Sequence, residues 1–512
     1  MPPAAGSPRR SLVRSPTSHC SISGFRPPQR SAVTEMAATT LTDLVADVNQ
    51  RVPGLLTPHG DLEGRLVQAI SDDSRRVEEG TLFFAIRGEV VDGHDYIEAV
   101  ADAGGVAVVA EDVRTERIPT LLAESSRVAT AHTSAAFHGH PSAEIQVVAV
   151  TGTNGKTSIV NLIEHLVRHA GRTAESFGTL TGTLTTAAAP RFQERLRSAA
   201  DSGVTVVAAE VSSHALDQHR VDGTTFAIGI FTNLTQDHLD YHATMEAYFQ
   251  AKARLFSMCE VAIIDVSNEW GRRLADLVDI PTIEVDATAE TADLRPNGSS
   301  FDWQGQRVSI PLGGRFNVSN AILAAEAALC LGLEVDDVVA GLVAVPQIPG
   351  RFEWVAAGQS FGIVVDYSHT PAGLEAAIAT ARELIPEDGR VFVVFGAGGD
   401  RDPGKRPMMG AASLSADVVI VTSDNPRTED PGTIIDHIFQ GIDMSADATI
   451  VREVDRRAAI GMAIADAREG DIVVIAGKGH EQYQIIGETR HEFDDRLVAR
   501  SAVNTIAEAG RA

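Results

Sequence analysis

The segment that most constrains this 512-residue chain runs from residue 148 to residue 158 and reads Val-Ala-Val-Thr-Gly-Thr-Asn-Gly-Lys-Thr-Ser. Its apolar start predicts a buried strand, its glycines predict a tight turn, and the apolar periodicity from Ile159 onward predicts a helix. In a strand–loop–helix of this kind, backbone N–H groups and the helix N-terminus surround a phosphate group. The segment therefore predicts a phosphate loop, and a glycine turn with a solvated lysine is the plain alternative.

The phosphate loop also predicts a nucleotide ligand. Lys156 can reach the terminal phosphates of ATP or GTP, and the Thr157 hydroxyl can ligate Mg2+. The loop is shorter than the usual GxxxxGK[ST] pattern, so its place between a strand and a helix carries the prediction. The residues expected around the nucleotide are Gly152, Thr153, Asn154, Gly155, Lys156, Thr157 and Ser158.

Length and composition limit the class of protein. A chain of 512 residues predicts about three domains. Its net charge of −26 argues against a nucleic-acid partner or an anionic membrane surface, and it has no apolar run long enough for a transmembrane helix. The cysteines, Cys20, Cys259 and Cys330, lie far apart, which suits a reducing compartment without disulfides or a zinc site. We expect a cytoplasmic monomer.

The N-terminal segment differs from the rest of the chain. Residues 1–34 are rich in Arg, Ser and Pro and contain no Asp or Glu, which predicts a disordered extension over residues 1–35. An organellar transit peptide has a similar composition, whereas a start at Met36 or a dispensable tail is the blander interpretation. After Met36, Thr40 or Thr42 is expected to cap an amphipathic helix.

Short β-rich runs alternate with helical patterns, which predicts parallel α/β domains. The expected domains are 36–138, 139–346 with the phosphate loop, and 347–512, joined by linkers near 137–142 and 345–350. Strands are predicted at 81–86, 105–110, 147–150, 204–211, 226–232, 261–266, 362–366, 391–395, 418–421 and 472–476, and a helix is predicted from 317 to 331.

Polar clusters follow most of the predicted strands of the second and third domains. Ligands of open parallel sheets bind beyond the carboxyl ends of the strands. One such cluster is ordinary turn chemistry, but seven together predict one site in the cleft between these two domains. The clusters begin near residues 151, 210, 232, 366, 396, 423 and 477.

Three residues of the second domain predict metal or phosphate chemistry. Glu210 ends a buried strand, where a carboxylate is costly unless it binds something. With the Thr157 hydroxyl and the imidazole of His238 it makes a plausible Mg2+ set, although a packed or capping histidine is an equal alternative for His238. Helical spacing places Lys252 on one apolar face with Tyr248 and Leu255, where a snorkelling lysine is the simpler interpretation.

Arg401, Arg427 and Glu481 follow different predicted strands of the third domain. Two guanidinium groups bind carboxylates bidentately, and a carboxylate accepts from an ammonium group. Each residue alone is most often a surface charge. Together they predict a receptor for a zwitterion, such as an amino acid with a second amine and carboxylate.

On these residues the chain resembles the Mur ligase family, ATP-dependent amide-forming enzymes of peptidoglycan synthesis. The resemblance extends from about residue 60 to residue 500. It is carried by the motifs at 151–158, 210–214, 232–242, 314–320, 349–351, 366–371, 398–402 and 477–481.

The resemblance implies a fold and a reaction. The fold is α/β with three domains: a central P-loop parallel-sheet ATPase domain, an N-terminal UDP-binding α/β domain and a C-terminal Rossmann-like α/β domain that binds the amino acid. Asp424-Asn425-Pro426-Arg427 resembles the motif of members that add diaminopimelate, and lysine-adding members lack its Arg. The implied reaction uses ATP and Mg2+ to convert the D-glutamyl carboxylate of UDP-N-acetylmuramoyl-L-Ala-D-Glu into an acyl phosphate, which the amine of diaminopimelate attacks.

The resemblance also implies roles for residues at matching positions. Lys156, Lys252, His238 and Glu210 are implied to be catalytic, with Thr157, Glu210 and His238 as metal ligands and Lys252 as a carbamylated lysine. Asn317, Arg351 and Asp366 join the phosphate loop around ATP. The UDP-sugar dipeptide is implied to contact Ser74, Thr185, Thr186, Ser212, Gln218 and Arg220. Diaminopimelate is implied to contact Arg401, Asp424, Asn425, Pro426, Arg427, Gly477 and Glu481.

The chain departs from the family pattern in the second domain. Ala187-Ala188 follow Thr185-Thr186, where the family usually has Pro-Glu, and the preceding loop is short. Ser368 stands where Ala is usual. The alternatives left open are a related ligase, adding L-lysine or D-Ala-D-Ala or extending folate with glutamate, and a non-catalytic nucleotide-binding member of the fold.

Overall fold

A computed structural model describes residues 39–88, 91–288 and 290–509. The predicted extension over residues 1–35 lies outside the described residues. The described chain divides into two compact units. The first contains the residues up to Leu234, together with Leu239–Val285 and Leu323–Glu334, and the second contains Thr235–His238, Asp286–Ile322 and the residues from Val335 onward. Parallel sheets flanked by helices build both units, so the predicted α/β class is confirmed.

The first unit begins with a five-stranded sheet. Its strands pair in parallel except at one edge, where the first strand is antiparallel. In sheet order they are Thr57–His59, Thr120–Leu122, Ala107–Ala110, Thr81–Phe84 and Ala69–Ser71. A further antiparallel pair joins Thr39–Thr40 to Leu66–Val67.

Three α-helices accompany this sheet: Leu41–Arg51, Ile97–Asp102 and Ser126–Phe137. The first helix begins after Thr40, whose hydroxyl oxygen accepts from the Asp43 N–H at 3.1 Å. Thr40 is therefore the N-cap, and the predicted amphipathic helix is confirmed, because its buried face carries Leu41, Leu44, Val45 and Val48.

A fully parallel six-stranded sheet forms the rest of the first unit. Its three central strands are buried over their whole length, as expected for a parallel sheet with helices on both faces. In sheet order the strands are Thr282–Val285, Cys259–Asp265, Phe226–Phe231, Gln146–Thr151, Val206–Glu210 and Ala174–Phe177. The helices are Lys156–His169, Ala189–Asp201, Ser213–Asp217, Leu239–His242, Met245–Ala253 and Glu269–Leu277.

The second unit contains a small antiparallel sheet of Asp293–Arg295, Gly298–Trp303 and Gln306–Ile310. Helix Arg315–Cys330 follows this sheet and extends into the first unit, and helix Val335–Val343 comes next.

The larger sheet of the second unit is parallel except for one short edge strand. Its strands, in sheet order, are Glu353–Trp354, Gly362–Asp366, Ile472–Ala476, Val391–Phe395, Val418–Val421 and Thr449–Arg452. An antiparallel hairpin of Tyr483–Ile486 and Thr489–Glu492 follows strand Ile472–Ala476 in the chain. The helices are Pro371–Glu383, Lys405–Ser413, Pro431–Phe439, Arg456–Asp466 and Asp495–Ala509.

The segment near 137–142, predicted to be a linker, is a packed connection. His138 is buried, and the imidazole of His140 lies 2.7 Å from the Asp47 carboxylate. The Ser142 hydroxyl accepts from the Thr225 N–H at 3.2 Å. The polar and glycine residues that suggested a free linker therefore tie the first sheet's helices to the second sheet.

No helix in the described ranges is both long and apolar enough to cross a membrane. The described cysteines, Cys259 and Cys330, are buried free thiols.

Candidate active site

The phosphate loop is hydrogen-bonded to the two residues that follow the neighbouring strand Phe226–Phe231. The Thr153 N–H donates to the Asn233 carbonyl at 2.9 Å, and the Asn154 N–H donates to the Asn233 side-chain oxygen at 3.0 Å. The Thr232 hydroxyl donates to the Asn154 carbonyl at 2.6 Å. A side chain at Gly152 would come within 1.9 Å of the Thr232 hydroxyl oxygen, so only glycine fits there.

Lys156 begins the helix that follows the loop. Its Nζ donates to the carbonyls of Gly152 and Thr153 at 2.9 and 2.8 Å, so the side chain curls over the loop. Gly155 before it has a φ of 90°, a left-handed conformation that favours glycine. This geometry holds a cation and a helix N-terminus at one concave turn of backbone, as a phosphate site requires.

Glu210 lies at the carboxyl end of its strand and is 2% exposed. Its carboxylate accepts from the Thr157 hydroxyl at 3.0 Å and from the Thr179 N–H at 2.8 Å. A side chain at Gly178 would come within 2.1 Å of Glu210 Oε1. Within the described chain no ion pair reaches this carboxylate, so its charge is balanced by hydrogen bonds alone.

Mg2+ in phosphate sites is usually bound by one or two protein oxygens, with substrate phosphates and water completing its shell. The buried Glu210 carboxylate beside the Thr157 hydroxyl fits that donor set. Across the described residues, no group of three or more His, Cys, Asp or Glu side chains could hold a metal ion. The Glu210 carboxylate and the Thr157 hydroxyl therefore suit a phosphate-bound magnesium rather than a metal site built from protein ligands alone.

Lys252 points into the phosphate loop and is 1% exposed. Its Nζ donates to the Gly152 carbonyl at 2.8 Å and lies 4.5 Å from the centre of the Tyr248 ring. The Tyr248 hydroxyl lies 3.2 Å from the Thr153 hydroxyl. Lys252 therefore does not snorkel to water. Its helix ends at Ala253, and Leu255 lies in the following 3-10 turn, so the predicted single helical face ends one turn early.

Most residues predicted to contact the UDP-sugar dipeptide lie beside Glu210. The Thr186 hydroxyl donates to the Glu210 carbonyl at 2.8 Å and accepts from the Ser212 N–H at 3.1 Å. Arg220 donates to the Thr186 carbonyl at 2.9 Å and to the Gln218 side-chain oxygen at 2.7 Å.

The other two predicted dipeptide residues lie on separate segments. The Thr185 hydroxyl lies 3.3 Å from the Thr179 hydroxyl. Ser74 begins a 3-10 turn of the first sheet, two residues after Asp72. Burial raises the pKa of Asp72, while the nearby charge of Arg220 opposes that rise. The Asp72 carboxylate, two residues before Ser74, therefore lies close enough to Arg220 for their charges to interact.

The second unit carries the other residues predicted to hold the nucleotide. Asp366 accepts from the Phe352 N–H at 2.7 Å and from the Ser368 hydroxyl. The Arg351 guanidinium lies 4.8 Å from the centre of the Tyr367 ring, so Arg351 and Asp366 share one neighbourhood. Asn317 is buried, and its amide donates to the Gly313 carbonyl at 2.8 Å.

His238 belongs to this second unit, whereas Lys156, Glu210 and Lys252 belong to the first. It has a φ of 53°, and its imidazole lies 3.4 Å from the Asp237 carboxylate. Its predicted role as a metal ligand stays a prediction.

Two arginines flank a glycine pair in the second unit. A side chain at Gly398 would meet Arg427 Nη1 at 3.1 Å and Arg401 Cγ at 3.6 Å. Arg427 Nη1 donates to the Gly399 carbonyl at 2.6 Å, and Arg427 itself has a φ of 51°. The side chains of Arg401 and Arg427 therefore both lie beside Gly398, and their pairing around a carboxylate stays a prediction.

The predicted acidic residues of the same site lie at neighbouring strand ends. Asp424 accepts from the Asn425 N–H at 2.6 Å, and a side chain at Gly477 would meet Asp424 Oδ2 at 2.6 Å. The Asn425 amide donates to Glu481 Oε2 at 2.8 Å. Pro426 is buried between Asn425 and Arg427.

Sequence profiles of Mur ligase domains match three parts of the chain. The profile described as "Mur ligase family, catalytic domain" matches residues 66–154, "Mur ligase middle domain" matches 150–328, and "Mur ligase, glutamate ligase domain" matches 350–479.

The chain aligns with almost the whole length of its curated relatives. The UDP-N-acetylmuramoyl-L-alanyl-D-glutamate--2,6-diaminopimelate ligase of Synechococcus sp. (strain WH7803) is 43% identical over 488 residues, which are 88% of this chain and 97% of that protein. The chain belongs to the Mur ligase family. The ligase of the same name from Geobacillus kaustophilus (strain HTA426) is 41% identical over 88% of this chain and 97% of that protein. A solved structure of a ligase of that name has a TM-score of 0.65 and 33% identity, covering 92% of this chain and all of that one.

Four residues that shape the site of this Mur ligase were not assigned a role from the sequence. Thr232 and Asn233 hold the phosphate loop, and Thr179 binds Glu210. Lys478 contacts Glu481. Thr232 ends a predicted strand, and Asn233 and Lys478 come within two residues after predicted strands, which was the available signal. Thr179 lies in the short loop before Thr185, where the length of the loop was the only signal.

Proposed function

We propose that this Mur ligase adds diaminopimelate to the D-glutamate of UDP-N-acetylmuramoyl-L-Ala-D-Glu, using ATP, in the synthesis of peptidoglycan precursors. The observation that carries the choice of amino acid is that the side chains of Arg401 and Arg427 both lie beside Gly398, within a unit that also holds Asp424 and Glu481. The names of relatives at 43% and 41% identity support the same reaction.

The phosphate loop supports the first half of this reaction. ATP transfers its terminal phosphoryl group to the γ-carboxylate of the D-glutamyl residue, which gives an acyl phosphate and ADP. Lys156 and the backbone N–H groups at the helix N-terminus would neutralise the phosphate charge. Thr157 and Glu210 would hold Mg2+, and the bound ion would supply charge neutralisation at the phosphates.

Lys252 would complete this part of the site in a modified form. Its buried Nζ lies 2.8 Å from the Gly152 carbonyl, at the base of the phosphate loop. The ammonium would lose one proton to give the neutral amine, whose nitrogen would then bond to the carbon of CO2 with release of a second proton. The resulting carbamate would replace a cation by an anion. A second anion near Glu210 would suit a magnesium site better than a buried ammonium.

The amine of diaminopimelate then attacks the acyl phosphate through a tetrahedral intermediate, which releases phosphate and leaves an amide. Asp424 and Glu481 would accept from an ammonium group of the amino acid, while Arg401 and Arg427 would bind a carboxylate bidentately. L-Lysine has no second carboxylate, so this arrangement favours diaminopimelate over L-lysine.

The UDP-sugar dipeptide would bind along Ser74, Thr185, Thr186, Ser212, Gln218 and Arg220. The contacts of Thr186, Ser212 and Arg220 beside Glu210 support this placement. We further propose a cytoplasmic location and action as a monomer, which light scattering of the purified protein would test.

The decisive experiment measures phosphate release from ATP, Mg2+ and UDP-N-acetylmuramoyl-L-Ala-D-Glu with meso-diaminopimelate, with L-lysine or with no amino acid. Release that requires diaminopimelate is expected, and Lys156→Ala should reduce it by about 1,000-fold, because the loop cation is lost from the transition state. Release with L-lysine at the same efficiency would refute the choice of amino acid. No release with any amino acid would favour a non-catalytic member of the fold.

A further inference from the structure

Lys478 is a completely buried lysine beside the site proposed for the amino acid. It follows strand Ile472–Ala476 by two residues, and its side chain is 0% exposed. Its Nζ donates to Glu481 Oε2 at 2.9 Å and to Asn425 Oδ1 at 3.2 Å. A buried ammonium is strongly unfavourable unless it is paired, so these two contacts explain its presence there.

The contacts of Lys478 fix the side chains of Asn425 and Glu481. Asn425 Oδ1 accepts from Lys478 Nζ and from the Ile485 N–H at 2.9 Å, so the Asn425 amide must turn its nitrogen toward Glu481. Glu481 Oε2 then accepts from both Lys478 and Asn425. Among the described residues, Glu481 Oε1 has no hydrogen-bond partner.

A second carboxylate oxygen is presented to the same neighbourhood. Asp424 Oδ1 is occupied by the Asn425 N–H, while Oδ2 faces Gly477, which has no side chain. Burial raises the pKa of the Tyr367 hydroxyl, and the charges of Glu481 and Asp424 raise it further. Both carboxylates therefore lie close to the same tyrosine.

The charges of this group fit a single ammonium. Lys478 forms an ion pair with only one of the two carboxylates, that of Glu481. Lys478 binds Glu481 through Oε2 only, so the neutralising contact remains available at Oε1.

We propose that Lys478 is a positioning residue for amine recognition, holding Glu481 and Asn425 so that Glu481 Oε1 receives an ammonium group of the amino-acid substrate. This inference rests on the proposed function. Both side-chain polar atoms of Asn425 take part in the same group of hydrogen bonds.

The test is a double-mutant cycle of Lys478→Met and Glu481→Gln in the full chain, with phosphate release as the assay. Hydrogen bonds to charged groups predict that Lys478→Met raises the KM for meso-diaminopimelate by about 10- to 100-fold. The KM for ATP should stay within about twofold of that of the unaltered chain, since Lys478 contacts no residue of the phosphate loop and does not contact Asp366. The double variant should have the same KM for diaminopimelate as whichever single variant has the higher KM, because Lys478 acts through Glu481.

The matched control is Arg390→Met, which removes a cation from the opposite edge of the same sheet. Arg390 pairs with the buried Asp471 at 2.8 Å, just before strands Val391–Phe395 and Ile472–Ala476 begin. This variant should lower the melting temperature and leave the KM for diaminopimelate unchanged. If Lys478→Met fails to fold, Lys478→Gln keeps a neutral hydrogen-bond donor at the position and should show a smaller rise in the KM for diaminopimelate, with the KM for ATP again within about twofold.

An unchanged KM in a folded Lys478 variant would overturn this role, and so would effects of Lys478→Met and Glu481→Gln that simply multiply. A parallel rise in the KM for ATP would indicate a structural role instead. Failure of the unaltered chain to release phosphate with diaminopimelate would overturn the proposed function itself and the substrate assigned to Lys478.

Discussion

At the scale of single residues, Lys252 has the least expected environment. It is almost completely buried, and its Nζ contacts the Gly152 carbonyl and the Tyr248 ring. If its working form is a carbamate, Lys252→Ala should reduce phosphate release by about 100-fold or more, because a charge at the phosphates is lost. Added formate or acetate should restore part of the activity by filling the vacated space with a carboxylate.

Two controls define this prediction for Lys252. Lys156→Ala should not respond to formate, since its proposed role is cationic, and chloride at equal ionic strength should restore neither variant. Restoration of Lys252→Ala by alkylammonium ions instead of carboxylates would show that the lysine works unmodified. The measurement is the initial rate of phosphate release at saturating substrates.

Arg427 offers a separate test at the residue scale. Its guanidinium donates to the Gly399 carbonyl at 2.6 Å and lies close to Arg401. Arg427→Ala should raise the KM for diaminopimelate by about 10- to 100-fold, as expected for loss of a charge-assisted contact, with little change in the KM for ATP. Arg452→Ala is the matched control, because Arg452 pairs with Asp436 on the surface. Equal rises in both KM values would contradict the role of Arg427.

The identities of site residues were more predictable than their orientations. Charged residues directly after apolar strands, such as Glu210 and Asp366, could be found because parallel sheets gather their carboxyl ends. Their partners depend on tertiary packing that no local pattern records. The curling of Lys156 onto carbonyl oxygens and the capture of Asn425 by Lys478 are two such cases.

At the scale of elements, the connection after helix Ser126–Phe137 predicts a dependence of stability on pH. Burial lowers the pKa of His138 from 6.5 to about 4, and its Nδ1 has no hydrogen-bond partner among the described residues. The unfolded chain therefore binds more protons between these pH values. The contribution of neutral His138 to the free energy of unfolding is complete above pH 6.5. It is lost as the pH falls toward 4, by up to about 1.4 kcal/mol per pH unit.

The substitution His138→Phe should remove this contribution. Its melting temperature should fall less steeply than that of the unaltered chain between pH 6.5 and pH 4.5. His59→Gln is the control, since His59 is half exposed and pairs with the surface residue Glu116. Identical pH slopes for the unaltered chain and His138→Phe would assign the acid sensitivity to other groups.

Central strands could be predicted from the sequence, and edge strands could not. The predicted strands at 362–366, 391–395, 418–421 and 472–476 agree with the structure at both ends, because each is a short apolar run buried on both faces. The edge strand Thr449–Arg452 and the hairpin beginning at Tyr483 were not predicted. Their residues are partly exposed and mixed in polarity, so neither alternation nor a buried run is present.

At the scale of the whole molecule, the residues predicted to hold ATP are divided between the two compact units. Lys156 belongs to one unit, and Asn317, Arg351 and Asp366 belong to the other. If Asp366 contacts the nucleotide, Asp366→Asn should raise the KM for ATP by about 10-fold through loss of a charged acceptor, and leave the KM for the UDP-sugar dipeptide within about twofold.

The matched control for Asp366 is Asp417→Asn. Asp417 accepts from the Val391 N–H at 2.6 Å and pairs with Arg382 at 2.5 Å, at the amino end of the sheet whose carboxyl end carries Asp366. Its loss should lower the melting temperature without changing the KM for ATP. A normal KM for ATP in Asp366→Asn would contradict the predicted role of Asp366 in nucleotide binding.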